Sequence, residues 1–235
     1  APNVLTNECD VLIALGMRFD DRVTGNLATY AKQAKVIHFE IDSAEVDKNV
    51  KTTVAVLADL KESLTALLPL IEKNSHESWH NEFKEKYKIE LEAVINDELK
   101  PKKEGISMGE TIEMINKHSK GDAIMVSDVG QHQMFTCRYS KFNQTKSNIT
   151  SGGLGTMGFA LPAAIGAKMG MPDREVVAII GDGGFQMTLQ ELGTMMQNNI
   201  GVKIIILNNG YLGMVRQWQQ MFFEKRYSFT DIQSP

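Results

Sequence analysis

A chain of 235 residues, 43% hydrophobic and 23% charged, carries enough apolar material for one or two packed domains. Its formal net charge of -4 and pI near 5.8 give no basic stripe for nucleic acid and no polybasic segment for a lipid surface, so both are excluded as partners. Apolar runs such as Val176 to Ile180 and Ile204 to Leu207 have strand length, far below the roughly 20 residues that cross a bilayer.

Cys9 and Cys137 stand too far apart in sequence for a CxxC pair, and a reducing cytoplasm is the expected compartment. The chain opens on Ala1 with no charged segment followed by an apolar one, and both ends read as boundaries inside a larger protein. Thirteen Met residues are explained by gap-filling in the core.

Asp10 to Gly16 and Val36 to Asp42 are short apolar runs ending in Gly or Asp, the pattern of buried parallel strands, and they bracket an expected helix near Thr29 to Gln33. Leu57, Leu60, Leu64, Leu67, Leu68 and Ile71 recur at helical spacing and predict a helix that closes this first α/β unit. Residues 74 to 103 are rich in Glu and Lys, carry Trp79, Phe83, Tyr87, Leu91 and Ile95 four apart, and finish at Pro101, which predicts an amphipathic linking helix.

A second α/β region begins with a helix from Ser107 to His118, Ser107 and Glu110 holding capping-box positions, and a strand at Ala123 to Ser127. It continues through a Gly-rich loop (Ser151 to Gly158), a small-residue helix (Leu161 to Lys168) and strands at Val176 to Ile180 and Val202 to Leu207, with a helix from Thr188 to Gln197 between them. Leu212 to Phe223 reads as a last helix. The expected class is α/β with doubly wound parallel sheets.

Two strand ends carry the chemistry. Val176 to Ile180 runs into Gly181-Asp182-Gly183-Gly184, and Ile204 to Leu207 runs into Asn208-Asn209-Gly210. Neighbouring strand ends in an open α/β sheet lie side by side at the carboxyl edge, so Asp182 and Asn209 can reach one ion. A carboxylate, an amide oxygen and a main-chain carbonyl form a hard oxygen set suited to Mg2+, whose shell is completed by phosphates. Gly183 and Gly184 place no Cβ in the way of a diphosphate ahead of the next helix. Taken singly, Asp-Gly and Asn-Gly are common turn signals; the pair, each after an apolar strand, is similar to the metal and diphosphate signature of thiamin-diphosphate enzymes.

Within that class the chain resembles the catalytic subunit of acetohydroxyacid synthase, also called acetolactate synthase. Gly16 to Gly25 (GMRFDDRVTG), Val129 to Met134 (VGQHQM), Ser151 to Gly158 (SGGLGTMG) and Gly213 to Gln219 (GMVRQWQ) carry the likeness, which runs over essentially the whole chain. The resemblance implies that residues 1–73 are the C-terminal part of a central FAD-binding domain, 74–104 a helical linker, and 105–235 the thiamin diphosphate and Mg2+ domain. It places Met157 beneath the bent cofactor, Gln131 and His132 at its diphosphate end, and the Tyr211 carbonyl as third metal ligand after Asp182 and Asn209. It assigns Met214 and Trp218 to the substrate channel, the Trp favouring 2-oxobutanoate over a second pyruvate as acceptor. It assigns Asp21, Arg22 and Val23 to a non-redox FAD, with Arg22 also facing the substrate entrance, and Glu40, Ile41 and Asp59 to the flavin's nucleotide portion. Residue type alone leaves other readings open: a core Met157, a structural His132, a core stripe at Met214 and Trp218, and capping or solvated acids at Glu40 and Asp59.

Three positions depart from the family pattern: Met17 for the usual Ala, Phe135 where Trp is frequent, and Gly184 for the common Ser or Ala. The implied reaction decarboxylates pyruvate and joins the two-carbon unit to a second 2-oxo acid, which begins branched-chain amino-acid synthesis. The implied assembly is a homodimer or larger, with a small regulatory subunit. The glutamate that contacts the cofactor's pyrimidine lies, in the family, in an N-terminal domain that no segment here resembles, so this chain by itself is expected to be inactive. The rivals are another thiamin-diphosphate 2-oxo-acid enzyme, such as pyruvate oxidase or glyoxylate carboligase, and a silent interaction module. A nicotinamide Rossmann site is set aside, because no Gly-x-Gly-x-x-Gly follows the first strand.

Overall fold

The computed structural model describes residues 2–100 and 104–233. Backbone contacts divide the chain into two compact units, Ala1–Ala93 and Val94–Pro235.

The first unit holds α1 (Pro2–Glu8), β1 (Val11–Leu15), α2 (Asp21–Thr24), β2 (Lys35–Glu40), β3 (Val54–Leu57), α3 (Leu60–Leu67) and α4 (Glu77–Glu90). Its three strands form a parallel sheet in the order β1-β2-β3, with Leu15 opposite Phe39 and Glu40 opposite Leu57. Ala14, Phe19, Tyr30, Ala31 and Val36 make its core.

The expected helix at Thr29 to Gln33 is absent; the segment is a series of turns. Asn26 accepts from Ala28 N through its side chain, and Ala31, at φ +41°, donates to Asn7 Oδ1, so neighbouring side chains take the groups a helix would use internally. Leu57 ends β3 instead of opening a helix, because Asp59 caps α3 by accepting from Lys61 N and Glu62 N, and α3 stops at Leu67. The linking helix spans the periodic residues Trp79 to Ile95 but changes its winding on the way. α4 ends at Glu90, a π turn covers Leu91–Ile95, and α5 (Asn96–Leu99) follows; Pro101 and Lys103 lie outside the described residues. Its four-residue spacing does bring Trp79 edge-on to Phe83, with ring centroids 5.5 Å apart.

The second unit continues with α6 (Met108–Ser119), β4 (Ile124–Ser127), α7 (Gln131–Tyr139), β5 (Asn148–Thr150), α8 (Ala160–Gly170), β6 (Val176–Gly181), α9 (Asp182–Thr188), α10 (Glu191–Gln197), β7 (Lys203–Leu207) and α11 (Gly213–Phe222). The sheet is again parallel, in the order β5-β4-β6-β7. Every residue of β4 and β6 is buried, as a strand covered on both faces requires. Ile124, Val126, Val176, Ala178 and Ile180 pack under Ala160, Leu161 and Ala164 of α8. The helix expected at Thr188 to Gln197 is α10, which begins at Glu191, and a further helix, α9, precedes it, beginning at Asp182 directly after β6.

The capping box of α6 is complete. Glu110 N donates to Ser107 Oγ, Ser107 N donates to the Glu110 carboxylate, and the Ser107 hydroxyl donates to Glu98 O, tying α6 to α5. Ser107→Ala is expected to cost about 1 kcal/mol, measured as a lower urea midpoint at unchanged slope.

Candidate functional site

From β4 the chain passes to β5 on one side of the sheet and returns to β6 on the other, so the strand order reverses between β4 and β6. A ligand crevice belongs at the carboxyl ends flanking such a switch. The cavity found there is lined by the segment after β4 (Val129 to His132), the segment after β6 (Gly181 to Gly184), the segment after β7 (Asn209 to Val215) and Met157 from the Gly-rich loop. Gln131, His132, Met157, Asp182, Asn209 and Tyr211 thus share one lining, although the sequence spreads them over some eighty positions.

Pairing of Gly181 with Leu207 sets Asp182, the first residue of α9, beside the turn containing Asn209. Asp182 is buried, and its Oδ2 has no partner among the described residues. An unpartnered buried carboxylate oxygen is expensive unless a cation or donor meets it, which is the mark of a binding atom. Asn209 Oδ1 accepts from Tyr211 N at 3.0 Å and keeps a second lone pair, while its Nδ2 donates to Gln131 Oε1 at 3.4 Å. Gln131 Nε2 donates in turn to Gln217 Oε1 on α11 at 3.0 Å. No group of three or more His, Cys, Asp or Glu side chains suited to a metal occurs among the described residues. Asp182 and Asn209 bring one carboxylate and one amide oxygen to the same cavity lining, hard oxygen donors of the kind a Mg2+ ion takes.

α7 starts after Gly130 without a side-chain cap, and its first two residues, Gln131 and His132, line the cavity. His132 is buried under the turn at Gly181: a Cβ on Gly181 would come within 3.0 Å of its Cε1. Burial holds its imidazole below the usual pKa, against the raising pull of Asp128 and Asp182, and its Nε2 has no partner among the described residues. Met157 Cε lies 3.8 Å from where a Gly183 Cβ would stand, with Leu212 and Ile232 side chains closing the same spot.

Met214 and Gln131 line a second cavity of about 350 Å3 as well, shared with Trp218, Phe135 and Arg138. Trp218 is half-exposed on α11, its ring 4.9 Å from that of Phe222.

Sequence reading overlooked two features of this site. Asp128 is buried beside the Gly-rich loop, and the segment 230–232 straps the turn after β7 through Leu212 N to Thr230 O, Ile232 N to Gly210 O, and an Arg216 to Asp231 ion pair at 2.9 Å. An acid directly after a buried strand is a visible signal; an antiparallel bridge between Tyr211 and Asp231 leaves none in composition.

The first unit gathers less. Arg22 and Val23 line a cavity of about 440 Å3 with Met17 and Tyr30, and Asp21 opens α2 beside them. Glu40, Ile41 and Asp59 do not line it. They lie at the carboxyl ends of β2 and β3: Glu40 Oε1 accepts from Ile41 N and Asp42 N, Asp59 caps α3, and the Ile41 side chain is exposed.

Comparison with known proteins agrees with both units. Residues 128–235 match the C-terminal TPP binding domain of thiamine pyrophosphate enzymes, and residues 1–67 match the central domain of the same enzymes. The acetolactate synthase large subunit of Lactococcus lactis subsp. lactis (strain IL1403) is 46% identical over 97% of this chain and 39% of its own length. That of Parasynechococcus marenigrum (strain WH8102) is 44% identical over 98% and 37%, and acetolactate synthase 2, chloroplastic, of Nicotiana tabacum is 41% identical over 99% and 35%. The chain spans about two fifths of the length of these relatives. With two domain models of one enzyme group and relatives of one name covering nearly every residue, the chain belongs to the thiamine pyrophosphate enzymes of the acetolactate synthase large subunit family.

Proposed function

We propose that this chain forms the central-domain part and the cofactor domain of an acetolactate synthase large subunit, which decarboxylates pyruvate and joins the two-carbon unit to pyruvate or 2-oxobutanoate. The observation that carries the proposal is the single cavity at the β4/β6 switch, with an unpartnered buried Asp182 oxygen beside Asn209 and Met157. Thiamin diphosphate, once bound, supplies the electron sink for decarboxylation.

The chain's own residues bind and orient. Asp182, Asn209 and the Tyr211 carbonyl would hold Mg2+; Gln131, His132 and the glycines of the Gly181 to Gly184 turn would receive the diphosphate; Met157 would support the rings. Burial disfavours the charged form of His132. Met214 lines both the cofactor cavity and the one containing Trp218, which supports reading that second cavity as the acceptor pocket.

FAD in a non-redox role belongs to the same proposal. Asp21, Arg22 and Val23 would touch it, Arg22 facing the substrate entrance as well; Ile41 is exposed for contact, whereas the Glu40 and Asp59 carboxylates hold backbone amides and would shape the site from behind. The domain division at 1–73, 74–104 and 105–235, a homodimer or larger assembly, a small regulatory partner and a cytoplasmic home are likewise proposed. Both cysteines are free thiols, and among the described residues no helix is long and apolar enough to cross a membrane.

The deciding experiment assays the full-length protein with pyruvate, Mg2+, thiamin diphosphate and FAD and identifies the product. Acetolactate is expected. Acetate with peroxide, or acetaldehyde alone, would move the protein to another branch of the same cofactor class. Trp218→Leu is expected to lower the preference for 2-oxobutanoate over pyruvate about tenfold, the worth of one or two methylenes of apolar contact. Competition between the two acceptors measures it; an unchanged product ratio would remove Trp218 from the acceptor pocket.

A further inference from the structure

Asp128 directly follows β4 and is fully buried. A carboxylate there needs donors, and main-chain amides supply them. Oδ1 accepts from Val129 N at 2.7 Å and Gly158 N at 3.0 Å, and Oδ2 accepts from Ala160 N at 3.0 Å. Ala160 is the first residue of α8, whose own N-cap, Phe159, makes no side-chain cap. Asp128 thus caps an eleven-residue helix from a neighbouring strand, with its charge at the positive end of the helix.

The same carboxylate touches two parts of the cofactor cavity. Gly158 immediately follows Met157, so one hydrogen bond ties the end of β4 to the residue next to the one that lines the cavity. On its other side lies Gly184, where an added Cβ would come within 2.9 Å of Oδ1 and 3.1 Å of Cγ. The space a side chain at 184 needs is therefore filled by Asp128, which gives a physical reason for Gly at this position of the present chain.

We propose that Asp128 is a positioning residue: it clamps the Met157 loop against the Gly181 to Gly184 turn, and so sets the support beneath the cofactor rings without touching cofactor or metal. This rests on the reading of the cavity as a thiamin diphosphate site. Two substitutions probe the clamp differently. Asp128→Asn keeps one acceptor oxygen and turns an N–H2 toward a backbone donor; Asp128→Ala removes the carboxylate and leaves the amides of Gly158 and Ala160 without it.

The test uses the full-length protein and three readouts: affinity for thiamin diphosphate with Mg2+, affinity for inorganic pyrophosphate with Mg2+, and amide hydrogen exchange along residues 152–160. Each variant is expected to bind thiamin diphosphate about tenfold more weakly, the worth of one charge-assisted hydrogen bond, while pyrophosphate affinity stays within about twofold and faster exchange is confined to 152–160. Unchanged thiamin diphosphate affinity in both variants would overturn the clamp. Parallel loss of both affinities with faster exchange throughout the second unit would reduce Asp128 to a general fold-stabilising residue and overturn it too. If the unsubstituted protein binds pyrophosphate and Mg2+ but no thiamin diphosphate, it is the cofactor reading that fails.

Discussion

Asp182→Ala is expected to lower acetolactate formation at least about a thousandfold, equal to roughly 4 kcal/mol of lost transition-state stabilisation, while leaving the metal-free protein no less stable. The two halves of this result come from the same atom. Asp182 is 5% exposed with Oδ2 unpartnered among the described residues, so in the absence of a cation its burial costs about 1–3 kcal/mol. Truncation removes that cost together with the proposed ligand. A ligand at a hundred times its dissociation constant stabilises the folded state by about 2.7 kcal/mol. The original protein should therefore gain several degrees in Tm on addition of Mg2+ and thiamin diphosphate, and the variant none. Thermal unfolding with and without the pair decides it. A variant that unfolds earlier without ligand, or still gains stability with it, would show that Asp182 holds the turn and not the ion.

Much of this was readable in advance, for a reason that differs by element. β4 and β6 are buried on both faces, so their residues form unbroken apolar runs, and the polar residues that end them mark the carboxyl edge of the sheet. Asp182 and Asn209 were findable because adjacency of strand ends follows from topology alone. β5 escaped notice, since Asn148-Ile149-Thr150 is three residues long and mostly polar, and only its pairing with Met125 to Ser127 makes it a strand. The turns at Thr29 to Gln33 escaped for the opposite reason: their apolar content suits a helix, and the decision is made by Asn7, a residue some two dozen positions away.

Among the site residues, residue type says which side chains could face a cavity but not which of them the backbone claims. Glu40 and Asp59 have the chemistry of ribose ligands, and one oxygen of each carboxylate already accepts from nearby amides. Asp128 looks like one more acid after a strand, and its work depends on amides at positions 158 and 160 that no local pattern announces. The strap at 230–232 is invisible for the same non-local reason.

Gly158→Ala is the second substitution from which a large effect is expected, and it acts on folding before chemistry. Gly158 sits at φ +80°, and an added Cβ would meet Met187 Cβ at 3.0 Å and Thr188 Cγ2 at 3.2 Å. Neither neighbour is the far end of a flexible chain: both atoms belong to the end of α9, which Thr188 Oγ1 fastens to Gly158 O at 3.1 Å. Left-handed backbone and overpacking together should cost about 3 kcal/mol, a large share of a stability near 5–15 kcal/mol. Gly153→Ala, in the same loop with open space around its Cβ and no positive φ, should stay within about 0.5 kcal/mol of the original. Adding Thr188→Ser to Gly158→Ala removes Cγ2 but leaves the Met187 contact and the backbone strain, so it should restore only part of the loss. Urea unfolding of the four proteins separates the causes: full recovery in the double variant would assign the cost to Thr188 alone. Equal losses at 153 and 158 would instead make the loop uniformly intolerant and detach Gly158 from the packing of α9.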